Sequence, residues 1–401
     1  MIDLEQVQDC YVSTSSKMVL LVVDGLGGLA HPETKLSELE TAKIPNLDEM
    51  AQESACGLTT PVLPGIAPGS GPGHLALFGY DPLKYMIGRG ALEALGIEVD
   101  LQPGDVAARG NFCTVDDDRL LTDRRAGRIP THLSAPLCER LDKIELPGVQ
   151  LDVYPVQDYR FVLRLRGTGL SEQITETDPQ INGVPALEVK ALEQNAEKTA
   201  TLVNEFVEHA TKLLAEEVPA NMVLLRGWAQ LPALPPMGST YKLNPAGIAA
   251  YPMYRGLATV ANMNIIPTGK SFSDEVQTLK ENYNNHDFFF IHYKPADAAG
   301  EDGDFNAKVQ ALEDLDPLIP SIRALNPDVF MVAGDHSTPA IMAAHSWHPV
   351  PFMLNSRLTK GEGIPSFDER SCGNGSIGRI PATSVMHLGL SHAGKLTKFG
   401  P

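Results

Sequence analysis

Apolar runs of strand length that end in metal-binding side chains are the feature that most constrains this sequence. Three runs, near residues 18, 288 and 329, are followed by such groups: Asp24 after the first, Asp297 and Glu301 after the second, and Asp335 and His336 after the third. Open α/β sheets place their sites at the carboxyl ends of their strands. The pattern therefore predicts an α/β fold with a polar site at one edge of the sheet.

Divalent metals suit the chemistry of these side chains. Asp335 and His336 deliver a carboxylate and an imidazole to one spot, and His345 follows nine residues after His336. Carboxylate oxygen and imidazole nitrogen are both good ligands for Zn²⁺ or Mn²⁺. The glycine-rich loop before His74 adds Ser70, ahead of a helix expected to begin at His74, whose free N–H groups would face a phosphate. Together these segments indicate a two-metal phosphoryl-transfer site.

Each segment alone has a plain structural explanation. An Asp-Gly pair after a strand is usually a turn, and Gly, Pro and Ser are ordinary loop residues. Asp335 and His336 are a stronger indication, because two titratable groups are costly to bury without partners. The prediction therefore depends on the conjunction of the segments.

Length and composition indicate a globular protein of two domains. The chain has 401 residues, 43% hydrophobic and 20% charged, which is ordinary for a globular protein and too long for one small core. No apolar stretch approaches the length of a membrane-spanning helix, and the N-terminus lacks the features of a signal peptide. The five scattered cysteines fit reduced thiols. We therefore expect a cytoplasmic location.

The net charge of −18 constrains the partners. Nucleic acid and anionic membranes select basic surfaces, so neither is expected to bind. If the substrate is an anionic phosphate ester, the site itself must be locally positive. Metal ions and a few arginines would have to supply that charge.

Antiparallel patterns interrupt the alternation of strands and helices in the middle of the chain. The predicted elements there are a hairpin (106–116 with 120–128), an antiparallel pair (149–154 with 160–166), a long helix (about 186–216) and a strand (221–227). We therefore predict a smaller α+β substrate-binding domain of residues 104–235. It is inserted into a metal-binding catalytic domain of residues 1–103 and 236–401.

Elements of the α/β type are predicted on both sides of the insert. They are a short helix or extended lead-in (1–17), strand 18–24, helix 45–53, the helix from His74, helix 246–251, strand 256–262 or a helix–strand mixture, helix 272–284, strand 287–292, helix 305–325, strand 328–333 and a short helix with a tail (385–401).

Taken in order, the motifs resemble those of a known family. They are Asp24-Gly-Leu-Gly-Gly28, Gly69-Ser70-Gly-Pro-Gly-His74, Asp297-Ala-Ala-Gly-Glu301, Gly334-Asp335-His336 and His345-Ser-Trp-His348. From about residue 18 to its end, the chain resembles the 2,3-bisphosphoglycerate-independent phosphoglycerate mutases of the shorter archaeal-type branch, within the alkaline phosphatase superfamily. The resemblance implies an alkaline-phosphatase-like, three-layer α/β catalytic domain with two divalent metals and an inserted substrate-binding domain.

The resemblance also implies roles for individual residues. Ser70 would be the nucleophile that is transiently phosphorylated. The ligands of one metal would be Asp24, Asp335, His336 and the Ser70 hydroxyl, and those of the other Asp297, Glu301 and His345. Serine is a weak nucleophile at neutral pH, and bonding to a metal favours its alkoxide. The second metal would neutralise charge on the phosphate oxygens.

Position 301 departs from the family pattern. Many members of the broader family have histidine where this chain has Glu301. A carboxylate there makes the site more negative, and oxygen-rich ligation suits Mn²⁺ or Mg²⁺ better than Zn²⁺. We therefore expect two divalent ions, Mn²⁺ favoured over Zn²⁺, Co²⁺ or Mg²⁺, and no 2,3-bisphosphoglycerate. Alternatively Glu301 is only solvated, and Asp302 or Asp304 is the ligand.

Arginine is the expected partner of an anionic substrate, because its guanidinium fork matches phosphate and carboxylate. The candidate substrate-binding residues are Arg109, Asn111, Arg124, Arg125, Arg128, Arg226, Arg255 and His74. Each arginine could instead be solvated, and His74 could be a general acid or merely a residue at a helix start. Lys294 could also reach the phosphate.

The resemblance implies interconversion of 2-phosphoglycerate and 3-phosphoglycerate through phosphorylated Ser70. Phosphoglycerate would be the small-molecule partner, and closure of the insert would keep water from the phosphoserine. One alternative is a related metal-dependent phosphotransferase, such as a homoserine kinase, or a phosphomonoesterase on the same site. Another is an inactive metal-binding or interaction protein, which the intact set of candidate ligands disfavours.

Overall fold

The computed structural model describes residues 7–231, 233–359 and 361–400. Strands are numbered in chain order. They are β1 (Met18–Val23), β2 (Ala55–Thr60), β3 (Val106–Val115), β4 (Leu121–Asp123), β5 (Gln150–Pro155), β6 (Arg160–Arg166), β7 (Met222–Ala229), β8 (Pro245–Ile248), β9 (Asn264–Ile265), β10 (Phe288–Tyr293), β11 (Val329–Ala333), β12 (Val350–Ser356) and β13 (Gly378–Pro381).

The α-helices are numbered in the same way. They are α1 (Glu38–Thr41), α2 (Pro45–Ala51), α3 (Ser70–Leu77), α4 (Arg89–Gly96), α5 (Thr131–Leu141), α6 (Glu197–Leu214), α7 (Met237–Tyr241), α8 (Pro252–Val260), α9 (Phe272–Asn282), α10 (Pro295–Glu301), α11 (Phe305–Leu315), α12 (Ile319–Arg323), α13 (Glu369–Gly373) and α14 (Ser384–His392). Within the described ranges, none of these helices has the length and apolarity to cross a membrane.

Contacts divide the chain into two compact units. The first unit is Met1–Met86 with Ala233–Pro401, and the second is Ile87–Pro232. The sequence prediction placed the insert at 104–235, so the second unit starts earlier than predicted. The reason is α4, whose Gly90 lies so close to β3 that an added Cβ would stand 2.4 Å from the carbonyl oxygen of Ala107. That contact makes α4 part of the second unit.

An eight-stranded sheet forms the centre of the first unit, among the residues the structure describes. Its strand order is β13-β2-β12-β11-β1-β10-β8-β9. The central strand β1 is parallel to both neighbours, β10 and β11. Every residue of β1 is buried, which explains its unbroken apolar sequence, because parallel strands are covered on both faces.

Helices cover the two faces of this sheet and complete a three-layer arrangement. Val19 and Leu21 belong to the core that includes residues of α2, α9 and α11. On the opposite face, Gly389 of α14 packs so closely that an added Cβ would lie 2.8 Å from the Met18 side chain. The prediction of an α/β fold is therefore confirmed.

An antiparallel sheet forms the second unit. Its described strands follow the order β4-β3-β6-β5, with β7 paired to β3. One face packs against α5 and α6 through apolar side chains such as Phe112, Leu137 and Phe206. The other face carries a smaller cluster with α4, in which Ala107 contacts Ala91 and Ala94. The two faces separate because successive strand residues point to opposite sides.

Several predicted elements differ from the structure. Residues 246–251, predicted as a helix, begin within strand β8, and the predicted strand 256–262 lies mostly in helix α8. Strand β8 is too short to show a period, and Pro252 starts α8 at a position where proline is well tolerated. The predicted helix 186–216 is shorter, and 305–325 is divided by a 3₁₀ turn at Asp316–Leu318. Residues 1–6 of the predicted lead-in (1–17) lie outside the described residues.

A fully buried lysine ties together the loops that follow β1 and β11. Lys308 lies in α11, and its ammonium donates hydrogen bonds to the carbonyls of Gly25 (2.8 Å), Gly27 (2.9 Å) and Thr338 (2.8 Å). Burial lowers the pKa of this ammonium. Three acceptors satisfy its three donors, so the charge can be held inside the protein. Lys308 therefore fixes the backbone on both sides of the candidate site.

Replacing Lys308 with methionine should destabilise the protein by roughly 3–5 kcal/mol, because each buried carbonyl left without a donor costs about 1–3 kcal/mol. Urea denaturation of metal-free protein measures the loss. Lys280→Met, at an exposed position of α9, is the matched control and should stay within about 0.5 kcal/mol of the parent. Equal stabilities of the two variants would show that the Lys308 contacts do not stabilise the fold.

Candidate active site

The carboxyl ends of β1, β10 and β11 meet at one edge of the first unit's sheet. Val23 is paired in register with Tyr293 of β10, and Val22 with Ala333 of β11. The residues that follow these strands therefore emerge side by side. They include Asp24, Asp297, Asp335 and His336, which the sequence analysis singled out.

The first cluster of potential metal ligands contains Asp24, Asp335 and His336. Their ligand atoms lie within 4.8 Å of one another, and all three residues are buried. His336 Nε2 is 3.3 Å from Asp24 Oδ1 and 3.2 Å from Asp335 Oδ2. Ser70 Oγ lies 3.1 Å from the same nitrogen. The structure thus brings together the four residues predicted for one metal.

The second cluster contains Asp297, His345 and again His336, whose ligand atoms also lie within 4.8 Å of one another. His345 Nε2 is 3.6 Å from Asp297 Oδ1 and 3.3 Å from Glu301 Oε1. The rings of His336 and His345 stack, with centroids 3.7 Å apart. Glu301 contacts His345 from the rim, with 55% of its side chain exposed.

The two alternatives to Glu301 occupy other positions. Asp304 accepts a hydrogen bond from the backbone N–H of Ala307 and thereby caps the start of α11. Asp302 is exposed. Of the three acidic residues proposed for this position, Glu301 is the one that lies 3.3 Å from His345.

Ser70 is the first residue of α3, which therefore begins earlier than the helix predicted from His74. Gly69 is the N-cap residue, with extended φ and ψ angles of −86° and 169°. The first N–H groups of a helix have no partner within it and favour an anion. Pro72 is accommodated because it lies in the first turn, where its missing N–H has no intrahelical partner to lose.

The hydroxyl of Thr338 sets the orientation of His336. It donates to Asp297 Oδ1 (2.6 Å) and lies 2.9 Å from His336 Nδ1. Since the hydroxyl proton is directed to the carboxylate, Thr338 accepts from Nδ1–H. The lone pair of His336 Nε2 then faces Ser70, Asp24 and Asp335. Such hydrogen bonds to the second ring nitrogen are typical of metal-binding histidines.

Burial and crowding shift the ionisation of the first cluster. Burial, followed by the charge of Asp24, raises the pKa of Asp335 to about 8. Burial opposes ionisation of Asp24 as well, but His292, His336 and Lys294 hold the pKa of that carboxyl well below its usual range. Burial lowers the pKa of His336 to about 4, so its ring is neutral at pH 7.

Unsatisfied oxygens in this cluster fit a bound cation. Within the described part of the chain, Asp24 Oδ1 and Asp335 Oδ2 are buried and accept no hydrogen bond. Buried carboxylate oxygens without partners are costly unless a cation neutralises them. The carboxylates, the imidazole lone pairs and the serine hydroxyl form a donor set that suits divalent ions. The residues present therefore fit divalent metals.

The rings of Tyr254, His292 and His74 pack together beside Asp24. Tyr254 donates a short hydrogen bond to Asp24 Oδ2 and stacks on His292, with centroids 3.5 Å apart. His74 adjoins both rings and is fully buried. Its Nδ1–H donates to the carbonyl of Ser70 at 2.8 Å. This burial does not fit the predicted substrate contact of His74, which supports the Ser70 turn instead.

Arg255 also faces the protein rather than open solvent. Its guanidinium donates to the carbonyl of Ala250 at 2.9 Å, beyond the end of β8. Lys294 lies nearer the ligand clusters, with its ammonium 3.1 Å from Asp24 Oδ2 and 2.5 Å from Asp297 Oδ2. Lys294, one of the two cations expected near the phosphate from this unit, thus contacts a candidate metal ligand of each cluster.

In the second unit, Arg109 and Arg226 lie opposite each other on β3 and β7. Among the described residues neither Nε atom has a hydrogen-bond partner, and the same holds for Asn111 Oδ1. Burial lowers the pKa of Arg109 to about 10; Glu93 opposes the shift, and Arg89, Arg226 and Arg160 add to it. The predicted residues Arg109, Asn111 and Arg226 thus belong to a basic cluster with unsatisfied polar atoms.

The other predicted arginines are placed differently. Arg124 makes a bidentate ion pair with Asp178, with distances of 2.8 and 2.7 Å. Arg125 and Arg128 are exposed. Because Asp178 occupies the Nε–Nη2 edge of the guanidinium, Arg124 is better explained as a structural ion pair than as a substrate ligand.

Sequence reasoning missed several residues that surround the ligand clusters of the first unit or the basic cluster of the second. They are Thr338, Tyr254, Lys308, Arg89 and Arg160. Thr338 follows the Asp-His pair directly and was the easiest to find, since a histidine ligand requires a partner for its second nitrogen. The others lie in helices or strands, where nothing in the spacing points to the site.

Comparison with known proteins agrees with these motifs. Residues 51–221 match the family model described as 2,3-bisphosphoglycerate-independent phosphoglycerate mutase. A probable enzyme of that name from Thermus thermophilus is 49% identical over 394 residues, which cover 96% of this chain and 97% of the relative. One from Thermotoga maritima is 47% identical over 400 residues, covering 99% and 98%.

Solved structures give the same result. A protein from Pyrococcus horikoshii superposes with a TM-score of 0.82 and 26% identity, covering 97% of this chain and 100% of that one. The cofactor-independent phosphoglycerate mutase of Thermoplasma acidophilum superposes with a TM-score of 0.73 and 27% identity, covering 94% and 100%. The chain therefore belongs to the 2,3-bisphosphoglycerate-independent phosphoglycerate mutases, a family of isomerases.

Proposed function

We propose that this protein interconverts 2-phosphoglycerate and 3-phosphoglycerate through a phosphoserine at Ser70, with divalent metals at the two clusters. The observation that supports this proposal most is the position of the Ser70 hydroxyl. It lies 3.1 Å from His336 Nε2, and His336 belongs to both clusters of potential ligands. A nucleophile in that position can use the field of two metal ions.

The proposed ligands are taken from the two clusters and from the neighbours of their histidines, Ser70 beside His336 and Glu301 beside His345. Those of one metal are Asp24, Asp335, His336 and the Ser70 hydroxyl, and those of the other are Asp297, Glu301 and His345. When bound, divalent metals would favour the serine alkoxide and neutralise charge on the phosphoryl oxygens. Mn²⁺ is the proposed ion, because Glu301 makes the second site rich in oxygen.

The reaction consists of two transfers of one phosphoryl group. Ser70 loses its proton and its Oγ attacks phosphorus, while the bond from phosphorus to the glycerate oxygen breaks and that oxygen takes up a proton. The glycerate then turns, and its other hydroxyl, losing its proton, attacks phosphorus and releases Ser70, which regains one. No water is consumed, and the start of α3 offers unpaired N–H groups to the phosphoryl oxygens.

The substrate also requires donors for its carboxylate. We propose that Arg109 and Arg226 supply them, since the Nε atom of each is buried and makes no hydrogen bond among the described residues, although Arg109 Nε lies 3.5 Å from Glu93 Oε2. Arginine forks bind carboxylates with two parallel hydrogen bonds. Burial and then repulsion from Arg89, Arg226 and Arg160 lower the pKa of Arg109, and an anion bound there would offset both effects.

A coupled assay tests the proposed reaction. Purified, Mn²⁺-loaded protein is given 3-phosphoglycerate together with enolase and no bisphosphoglycerate. Appearance of phosphoenolpyruvate supports the mutase, whereas release of inorganic phosphate without it would support a phosphomonoesterase.

In this assay Ser70→Ala should lower kcat by at least about a thousandfold, about 4 kcal/mol in the barrier, because the nucleophile is lost. Its fold and metal content should stay close to those of the parent. Ser391→Ala, at an exposed position in α14, serves as the control. If Ser70→Ala retained activity within about tenfold of the parent, or about 1.4 kcal/mol, the phosphoserine mechanism would be wrong.

Chelation with EDTA should abolish activity, because the clustered carboxylates and imidazoles then lack the ions that neutralise the phosphoryl group. Mn²⁺ should restore the rate better than Zn²⁺, on account of the carboxylate at Glu301. The rate is measured after dialysis against each metal. Full activity without metal would contradict the two-metal proposal, and equal rescue by Zn²⁺ would contradict only the argument from Glu301.

Arg109→Ala and Arg226→Ala should weaken both affinity and turnover. Truncating one partner of a buried charge pair typically costs about 2–5 kcal/mol, so at least one variant should lose roughly 30-fold or more in kcat/KM. Lys143→Ala, an exposed cation of the same unit, controls for the loss of charge. Unchanged kcat/KM in both arginine variants would exclude this pair from substrate binding.

A further inference from the structure

Lys294 joins the two clusters of candidate metal ligands. It follows β10, and its ammonium donates to Asp24 Oδ2 (3.1 Å) and Asp297 Oδ2 (2.5 Å). Asp24 belongs to the first cluster and Asp297 to the second. One cation is therefore held between one carboxylate from each site.

In each of the two carboxylates, one oxygen is bonded to Lys294 and the other lies near a histidine of the ligand clusters. Asp24 Oδ2 is bonded to Lys294 and Tyr254, whereas Oδ1 accepts no hydrogen bond within the described chain and lies 3.3 Å from His336 Nε2. Asp297 Oδ2 is bonded to Lys294, whereas Oδ1 accepts the hydrogen bond of Thr338 and lies 3.6 Å from His345 Nε2. The ammonium thus binds the outer oxygens, Oδ2 of both residues. The inner oxygens, Oδ1 of both residues, lie near His336 and His345.

The charge of the site makes this lysine important. The four carboxylates of the proposed ligand set are Asp24, Asp297, Glu301 and Asp335. Two divalent ions would cancel their four formal negative charges, so the charge of Lys294 would leave the loaded site positive. A positive site attracts an anionic phosphate ester, which a protein of net charge −18 otherwise repels. The same charge repels incoming metal ions.

Lys294 also has space beside it. Its side chain is 26% exposed and lines a cavity of about 340 Å³ with Tyr251, Lys270 and Phe272. The ammonium lies 5.9 Å from the ring centre of Tyr251 and 5.7 Å from that of Tyr254. Aromatic faces stabilise a cation within about 6 Å. The ammonium can therefore move away from the carboxylates without losing every favourable contact.

We propose that Lys294 is a placeholder cation, which neutralises Asp24 and Asp297 before metals bind, opposes their binding, and then attracts the anionic substrate. This inference rests on the proposed function, because it assigns the carboxylates to two metal sites. A residue that only supports the fold would affect metal and substrate binding in the same direction. A placeholder cation affects them in opposite directions.

Calorimetric titration of metal-free protein with Mn²⁺ tests the first half of the proposal. Lys294→Met and Lys294→Gln should bind Mn²⁺ at least about fivefold more tightly than the parent, and Lys294→Arg should stay within about threefold. Lys270→Met removes a lysine from the same cavity that makes no ion pair with either carboxylate in the described residues, so its affinity should be unchanged. Two uncharged variants are used so that misfolding of one does not decide the result, and circular dichroism shows whether each variant is folded.

The coupled assay at saturating Mn²⁺ tests the second half. The uncharged variants should raise KM for 3-phosphoglycerate at least about tenfold, and Lys294→Arg should restore most of the affinity. Weaker Mn²⁺ binding in both uncharged variants, or an unchanged KM, would overturn the proposal. An inactive parent with the expected order of Mn²⁺ affinities would instead contradict the mutase function alone.

Discussion

Buried negative charge at the carboxyl edge of the central sheet is the constraint on which the rest of the first unit depends. Asp24, Asp297 and Asp335 are each at most 1% exposed. Isolated carboxylates in such surroundings are too costly to persist as anions. The structure reduces this cost with Lys294 and with hydrogen bonds to the outer oxygens. Asp24 Oδ1 and Asp335 Oδ2 nevertheless accept no hydrogen bond among the described residues, which indicates that the cluster is arranged for a cation.

A buried polar framework holds the loops that carry these carboxylates. Lys308 bonds to the backbone after β1 and after β11. Glu38 accepts from the N–H groups of Leu29 and Ala340, and Glu369 accepts from that of Gly28. Apart from the bond between Glu38 and Leu29, which spans nine residues, these contacts join segments 30 or more residues apart in sequence. The positions of the candidate ligands therefore depend on tertiary hydrogen bonds more than on the local conformation of their loops.

The sequence was sufficient to predict the fold class and to group the main candidate metal ligands. Asp24, Asp335 and His336 could be grouped because each follows an apolar run, and parallel strands deliver their ends to one edge. Strand β8 and helix α8 were assigned wrongly, since Pro245–Ile248 is too short to show a period. The start of the second unit was also hard to predict, because α4 belongs to that unit through its packing against β3.

The residues that support the candidate ligands could not be predicted from the sequence, for a physical reason. Tyr254 and Lys308 lie in helices whose spacing fits ordinary core or surface positions, and only the packing of those helices on the sheet brings them to Asp24 and Gly25. The bidentate pair of Arg124 with Asp178 joins residues far apart in sequence. Local patterns identify reactive residues, whereas the partners that orient them are determined by the tertiary fold.

Groups of like charge lie close together in both units, carboxylates in the first and guanidinium groups in the second. Carboxylates crowd together in the first unit, which raises the pKa of Asp335 to about 8 after the larger effect of burial. Guanidinium groups crowd together in the second, and burial with their repulsion lowers the pKa of Arg109 to about 10. Neither arrangement stabilises a protein that lacks ligands. Departures from the best local choice are expected where function requires them, and the proposed binding of metal cations at one cluster and of an anionic substrate at the other would explain both.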